Sequence, residues 1–228
     1  MSRRGNEVLR TAGPWTPNVH RLLRLCVDSD IDGVPRPLGY TADGRERLSF
    51  LPGTVPAYPM PDWVWSAEVL DDAARLLRRL HDASVPLAGV RAGWRSPVRQ
   101  PAEVVCHNDF APYNLVFLDG RLTGVIDFDY CSPGARLWDL SYLAYRIAPL
   151  EAGPFTAGQR AARLHRVLTT YGSDASVDEL LATVVRRLDD LADFSDDAAA
   201  RLGNPELADH ATGYRKDAAR IAEGRLAP

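Results

Sequence analysis

Apolar and polar positions follow two different rhythms along the chain, and the changes between them mark its organisation. Glu7–Arg10 reads as a short strand. Thr16 followed by Pro17 predicts a helix start, with a hydroxyl cap and proline at the first helical position. Val19, Leu22, Leu23 and Cys26 then recur at helical spacing. Residues 36–40 and 45–51 read as strands around Ala42-Asp43-Gly44, and Asp-Gly between short strands is a strong hairpin signal. Pro52, Pro56, Pro59 and Pro61 exclude a helix interior or a central strand, because proline fixes φ and lacks the donor N–H. This linker divides the chain into residues 1–53 and 54–228.

The second part opens with a predicted helix over 62–83, whose apolar stripe is Val69, Ala73, Leu76, Leu77 and Leu80. A loop rich in proline and glycine follows. Val104–Cys106, 114–118 and 122–126 read as short strands, the last two joined by Asp119-Gly120. Helical spacing then returns over 137–146, 157–171, 177–191 and 205–223.

Composition narrows the class. The 228 residues are 46% apolar and 25% charged, which excludes collagen, coiled coil and wholesale disorder. A net charge of −3 gives no ground for a nucleic-acid partner or a basic membrane-surface protein. No apolar run approaches the ~18 residues of a membrane span, and the first residues lack the apolar stretch of a signal peptide. Cys26, Cys106 and Cys131 are too few and scattered for a disulfide framework. A cytoplasmic location is expected. Lys216 is the only lysine among 27 basic residues, so any earlier site needing a cation must use arginine.

The chemistry concentrates between Cys106 and Leu140. Asn114 follows Asp109 by five positions, and Asp127 lies thirteen further on, across the predicted hairpin. The hairpin returns the chain so that three oxygen-bearing side chains converge. Such oxygens suit a hard cation such as Mg²⁺, and a metal-bound nucleotide phosphate would complete its shell. Asp109 would then be free to accept the proton of an acceptor hydroxyl, the division of labour expected in phosphoryl transfer. The other histidines, among them His20 and His81, read as packing or surface residues. Cys106 and Cys131 read as small buried hydrophobes, and the acidic stretch 189–197 as a solvated face.

His107-x-Asp109-x-x-x-x-Asn114, followed by Ile126-Asp127-x-Asp129, resembles the aminoglycoside phosphotransferase and choline kinase-like superfamily, a branch of the protein-kinase-like fold. Ser132-Pro133-Gly134 with Trp138-Asp139-Leu140, Leu80-His81, and Phe50-Leu51-Pro52-Gly53 fit the same pattern. The resemblance covers about residues 8–146. Within the superfamily the chain looks most like short bacterial phosphotransferase-like and trifolitoxin-immunity-like proteins.

The resemblance implies an α+β, two-lobed protein-kinase-like fold. Residues 1–53 would be a truncated β-containing N-lobe, and 54–228 a mainly helical C-lobe. It implies an ATP- and Mg²⁺-dependent phosphotransferase acting on a hydroxyl of a small molecule. Asp109 would be the catalytic aspartate, and Asn114 and Asp127 the metal ligands. His107 would brace the catalytic loop and Asp139 would hold its backbone amides. Phe50 and Leu51 would contact the nucleotide. The family pattern also has a glycine-rich phosphate loop, a lysine in the following strand and a glutamate in the next helix. This sequence shows none of the three, and Arg10 is the positional candidate for the lysine's role. A minimal phosphotransferase, a natural start upstream of Met1, and a non-catalytic immunity or ligand-sequestering protein are the competing explanations.

Overall fold

In the computed structural model, which describes residues 1–150 and 154–226, the first 49 residues build an antiparallel sheet of order β1-β2-β4-β3 with one helix beside it. The strands are β1 (Ser2–Arg4), β2 (Glu7–Arg10), β3 (Pro37–Tyr40) and β4 (Glu46–Ser49), with α1 (Thr16–Asp28) between β2 and β3. The periodicity did not predict β1. Its residues are all exposed, so they carry no apolar alternation. The strand exists through its ladder to β2, turned by Gly5 at φ 59°. The start of α1 also differs from expectation. Trp15 already has helical backbone angles and is the N-cap, so Thr16 falls inside the helix. Its hydroxyl accepts the N–H of Gly13 at 2.9 Å instead of capping.

The proline-rich stretch is anchored to the hairpin that follows later in the chain. Thr54 exchanges both backbone hydrogen bonds with Phe117, at 2.7 and 2.9 Å. Gly53 beside it has φ +139°, and an added Cβ would lie 2.5 Å from the Phe117 carbonyl. Both the angle and the contact exclude a larger residue without movement. Gly53→Ala is therefore expected to lower unfolding free energy by about 2 kcal/mol. Urea unfolding measures this, and a loss under about 0.5 kcal/mol would contradict it.

The helix expected over 62–83 is interrupted. Asp62–Trp65 is a single 3₁₀ turn, and α2 (Ala67–Ser84) starts afresh from Ser66, whose hydroxyl accepts the N–H of Val69 at 3.2 Å. The buried face of α2 is Val69, Leu70, Ala73, Ala74, Leu77, Leu80 and His81, with Leu76 at its margin. It packs with α1 and with β5 (Val104–Cys106). The hairpin β6 (Leu115–Leu118) and β7 (Arg121–Val125) turns on Asp119-Gly120, both at positive φ, as that dipeptide dictates. A further strand, β8 (Ser132–Gly134), pairs with β5 and escaped the sequence reading because Ser-Pro-Gly has no strand character of its own.

By compactness the chain divides into 1–139 and 140–228, the boundary falling within α3 (Arg136–Ile147). The second unit continues with α4 (Ala157–Tyr171), α5 (Val177–Leu202) and α6 (Pro205–Ala222). α5 runs eleven residues beyond its expected end. The acidic stretch lies inside it, where Ala192, Ser195 and Ala198 supply a buried face too small to register as an apolar stripe. Arg215 of α6 pairs with Asp193 and Asp196 on α5. Gly203 ends the helix in the left-handed conformation. Among the described residues, no helix is long and apolar enough to cross a membrane.

Candidate active site

The segment after β5 is suspended from one buried carboxylate. Asp139 is fully buried at the start of α3 and accepts three hydrogen bonds. They come from the backbone N–H of His107 at 2.6 Å, the N–H of Asn108 at 2.8 Å and Nε2 of His81 at 3.0 Å. Burial alone would raise the Asp139 pKa, but these bonds outweigh it and hold the carboxyl below its ordinary value. Asn108 takes the left-handed conformation at φ 63°. Its amide donates to the Tyr130 carbonyl and the Ser132 hydroxyl, each at 2.9 Å. The chain turns sharply there.

His107 ties this turn to the far end of β7. Its Nε2 donates to the Ile126 carbonyl at 3.1 Å, while Nδ1 accepts the N–H of Asp109 at 3.3 Å. That pair of contacts uses both ring nitrogens and fixes the orientation of the ring. The ring packs edge-on against Phe110 and at a tilt against Phe128. The N–H of Ile126 in turn donates to the Asn114 carbonyl at 2.9 Å, so Asp127 directly follows the rung that Ile126 makes with Asn114. Asp127 is left-handed at φ 66°, unusual for a residue other than glycine and concentrated at functional positions.

Both oxygens of Asp109 are engaged. Tyr113 donates its hydroxyl to Oδ1 at 2.7 Å, and the Asn114 amide donates to Oδ2 at 2.8 Å. Burial pushes the Asp109 carboxyl above its ordinary value, against those two bonds. Asn114, itself buried, thus spends its nitrogen on Asp109, so its side-chain oxygen is the atom that could take a cation. Asp127 has a side chain 45% exposed, with Arg10 3.6 Å away. Among the described residues no three His, Cys, Asp or Glu side chains form a complete metal site. The protein offers a partial shell of Asn and Asp oxygens, a donor set that fits a hard cation completed by phosphate and water.

Arg10 lies at the other side of this group, at the end of β2. Its Nε donates to Glu46, its cross-strand partner on β4, and a terminal nitrogen meets Asp129 at 2.6 Å. Glu46 is fully buried and also accepts from His20 of α1 at 2.9 Å. Burial raises the Glu46 pKa, but these two donors outweigh it and bring it below its ordinary value. Burial lowers the Arg10 pKa, but Glu46, Asp129 and Asp127 outweigh it and bring it above its ordinary value. An ion pair therefore exists where the sequence showed none, with its glutamate supplied by the strand and a histidine standing in the helix.

The sequence reading thus missed Glu46, His20, His81, Asn108 and Tyr113. Register across the sheet decides Glu46, and no local signal carries that. His81 had a signal, since a polar residue on a strongly apolar helix face needs a buried partner. Phe50 lies under the guanidinium of Arg3, at 3.6 Å from the ring centroid, and its N–H meets the Asn6 carbonyl. Leu51 stands against Gly124 of β7. Neither side chain is among the residues that converge on Asp109. Cys26, Cys106 and Cys131 are all buried free thiols. Burial pushes Cys26 up to about 12 and Cys131 well above its ordinary value, so both are inert at neutral pH.

Residues 90–177 match the model of the phosphotransferase enzyme family. The chain is 30% identical over 218 residues to the trifolitoxin immunity protein of Rhizobium leguminosarum bv. trifolii, covering 87% of this chain and 81% of that protein. Two solved structures share its architecture. The GDP complex of an aminoglycoside 2'-phosphotransferase-IIIa mutant has a TM-score of 0.68 at 12% identity, covering 99% of this chain and 92% of that one. Amicoumacin kinase, in complex with AMP-PNP, Ca²⁺ and amicoumacin, has a TM-score of 0.66 at 13% identity, with 95% and 80% covered. At such identities these likenesses show the fold, which is protein-kinase-like, with a small sheet at its N-terminal end and a helical C-terminal region. The chain belongs to the phosphotransferase enzyme family, as a homologue of the trifolitoxin immunity protein.

Proposed function

We propose that the protein transfers the γ-phosphate of ATP to a hydroxyl of a small molecule, with Mg²⁺ as the metal. The observation that carries this reading is the convergence of Asp109, Asn114 and Asp127, with Arg10 beside Asp127. Asn114 and Asp127 hold the metal through their oxygens. When bound, Mg²⁺ neutralises charge on the phosphates. Arg10 meets the phosphates from the sheet side, a planar fork in the place of a lysine's point charge. Asp109, turned by Tyr113 and Asn114, would receive the proton of the acceptor hydroxyl as the new O–P bond forms and the bond from the γ-phosphorus to the β-phosphate oxygen breaks, releasing ADP. His107 and Asp139 keep the loop in place. Residues 1–53 serve as the nucleotide-side lobe, with Phe50 and Leu51 at its junction, and 54–228 as the lobe bearing the chemistry. The nucleotide and metal in the related structures support this reading.

Thermal melting tests it. At about 100 times its dissociation constant a ligand stabilises by about 2.7 kcal/mol, a shift of several degrees at this size. Wild type is expected to shift with Mg-ATP, and Asp127→Asn is not. An unmoved wild type at millimolar Mg-ATP defeats the proposal.

One observation favours a second reading: the relative at 30% identity is an immunity protein. In that reading the chain protects by holding a toxic ligand without turning it over.

A further inference from the structure

Arg10 is the most contested cation of the site. Glu46, Asp129 and Asp127 all lie within reach of its guanidinium. Arg95 is 3.5 Å from the other Asp129 oxygen and stacks on Trp15 and Tyr130. The two guanidinium charges face three carboxylates, so the local balance is negative. A polyphosphate arriving alone at Arg10 meets Asp127 and Asp129 as like charges, and it must also displace a short charge-assisted hydrogen bond.

The three carboxylates are not equally free to yield. Glu46 is fully buried, lies opposite Arg10 in the sheet and is held by His20. Asp127 faces outward beside Asn114. Asp129 sits on the one-turn segment Phe128–Tyr130 with its side chain 18% exposed, and it holds the terminal nitrogen of Arg10 that a phosphate needs. We infer that Asp129 is a specificity-determining residue. It keeps Arg10 occupied while the site is empty and makes phosphate binding there conditional on a divalent cation. This rests on the reading of Arg10 as the phosphate contact. With a divalent cation at Asn114 and Asp127 the local charge is compensated, and phosphate takes Arg10 from Asp129. Without it, Asp129 keeps the arginine.

The experiment is calorimetric titration of the full chain with ADP, in EDTA and in Mg²⁺, comparing wild type with Asp129→Asn. Asparagine keeps the shape and one acceptor for Arg10 but removes the charge. In EDTA the variant is expected to bind ADP about tenfold more tightly than wild type, and in Mg²⁺ the two are expected to agree within about threefold. Asp129→Ser is expected to give the same gain, which guards against a defect peculiar to one variant. Equal affinities in EDTA overturn the inference. So does a loss of affinity in Mg²⁺, which would make Asp129 a metal ligand. If wild type binds Mg-ADP but neither variant gains in EDTA, only this inference falls. If no protein binds ADP in either condition, the phosphotransferase reading falls with it.

Discussion

Asp139→Ala is expected to cost about 3–5 kcal/mol of unfolding free energy, the cost of removing one partner from a buried charged network. Three donors lose this acceptor: the N–H groups of His107 and Asn108, and Nε2 of His81. None is open to water, since all three residues are buried. A buried donor that loses its acceptor costs about 1–3 kcal/mol, so the loss at three donors is a large share of the stability of an ordinary domain. Asp139→Asn retains one acceptor oxygen but turns an amide N–H toward a donor, and an intermediate loss is expected. Urea unfolding gives the values. A loss below about 1 kcal/mol for alanine would mean that the turn at Asn108 is held by other contacts. Any fall in nucleotide binding should follow the fraction unfolded, because Asp139 acts on the site through the loop.

Asp109→Asn is expected to separate activity from stability. Removing a positioned proton acceptor costs about 10²–10⁴-fold in rate. The readout is hydrolysis of Mg-ATP, with water as the acceptor, so no substrate need be identified. Stability is expected to move the other way. Burial raises the folded pKa of Asp109 above its ordinary value of 3.8, so the buried charge opposes folding at neutral pH and ceases to do so once it is protonated. An uncharged isostere removes that opposition. Tyr113 can accept from the new amide nitrogen while Asn114 donates to its oxygen, so both hydrogen bonds persist. The melting temperature should equal or exceed that of wild type. Unchanged hydrolysis would remove Asp109 from the chemistry. Protection of cells by the inactive variant would favour the sequestering reading.

Much of the architecture could be read before any coordinates. The Asp119-Gly120 turn, the linker prolines and the apolar spacing of α1 and α2 are local signals, and local sterics settle them. The sequence also placed Asp109, Asn114 and Asp127 around a single hairpin, because their separation along the chain is short and the turn between them is unambiguous. What it could not supply were contacts set by pairing between distant segments. Glu46 reaches Arg10 from thirty-six positions away through strand register, and a one-residue slip would turn it to the other face of the sheet. β1 and β8 exist only because a partner strand offers hydrogen bonds. Asp139 meets the His107 turn across thirty-two residues, and His81 across fifty-eight. Residue type and spacing thus singled out the candidate groups for chemistry and where the chain turns. Register and burial decided which charges face one another and which titrate away from their ordinary values, because both depend on neighbours that sequence separation does not encode.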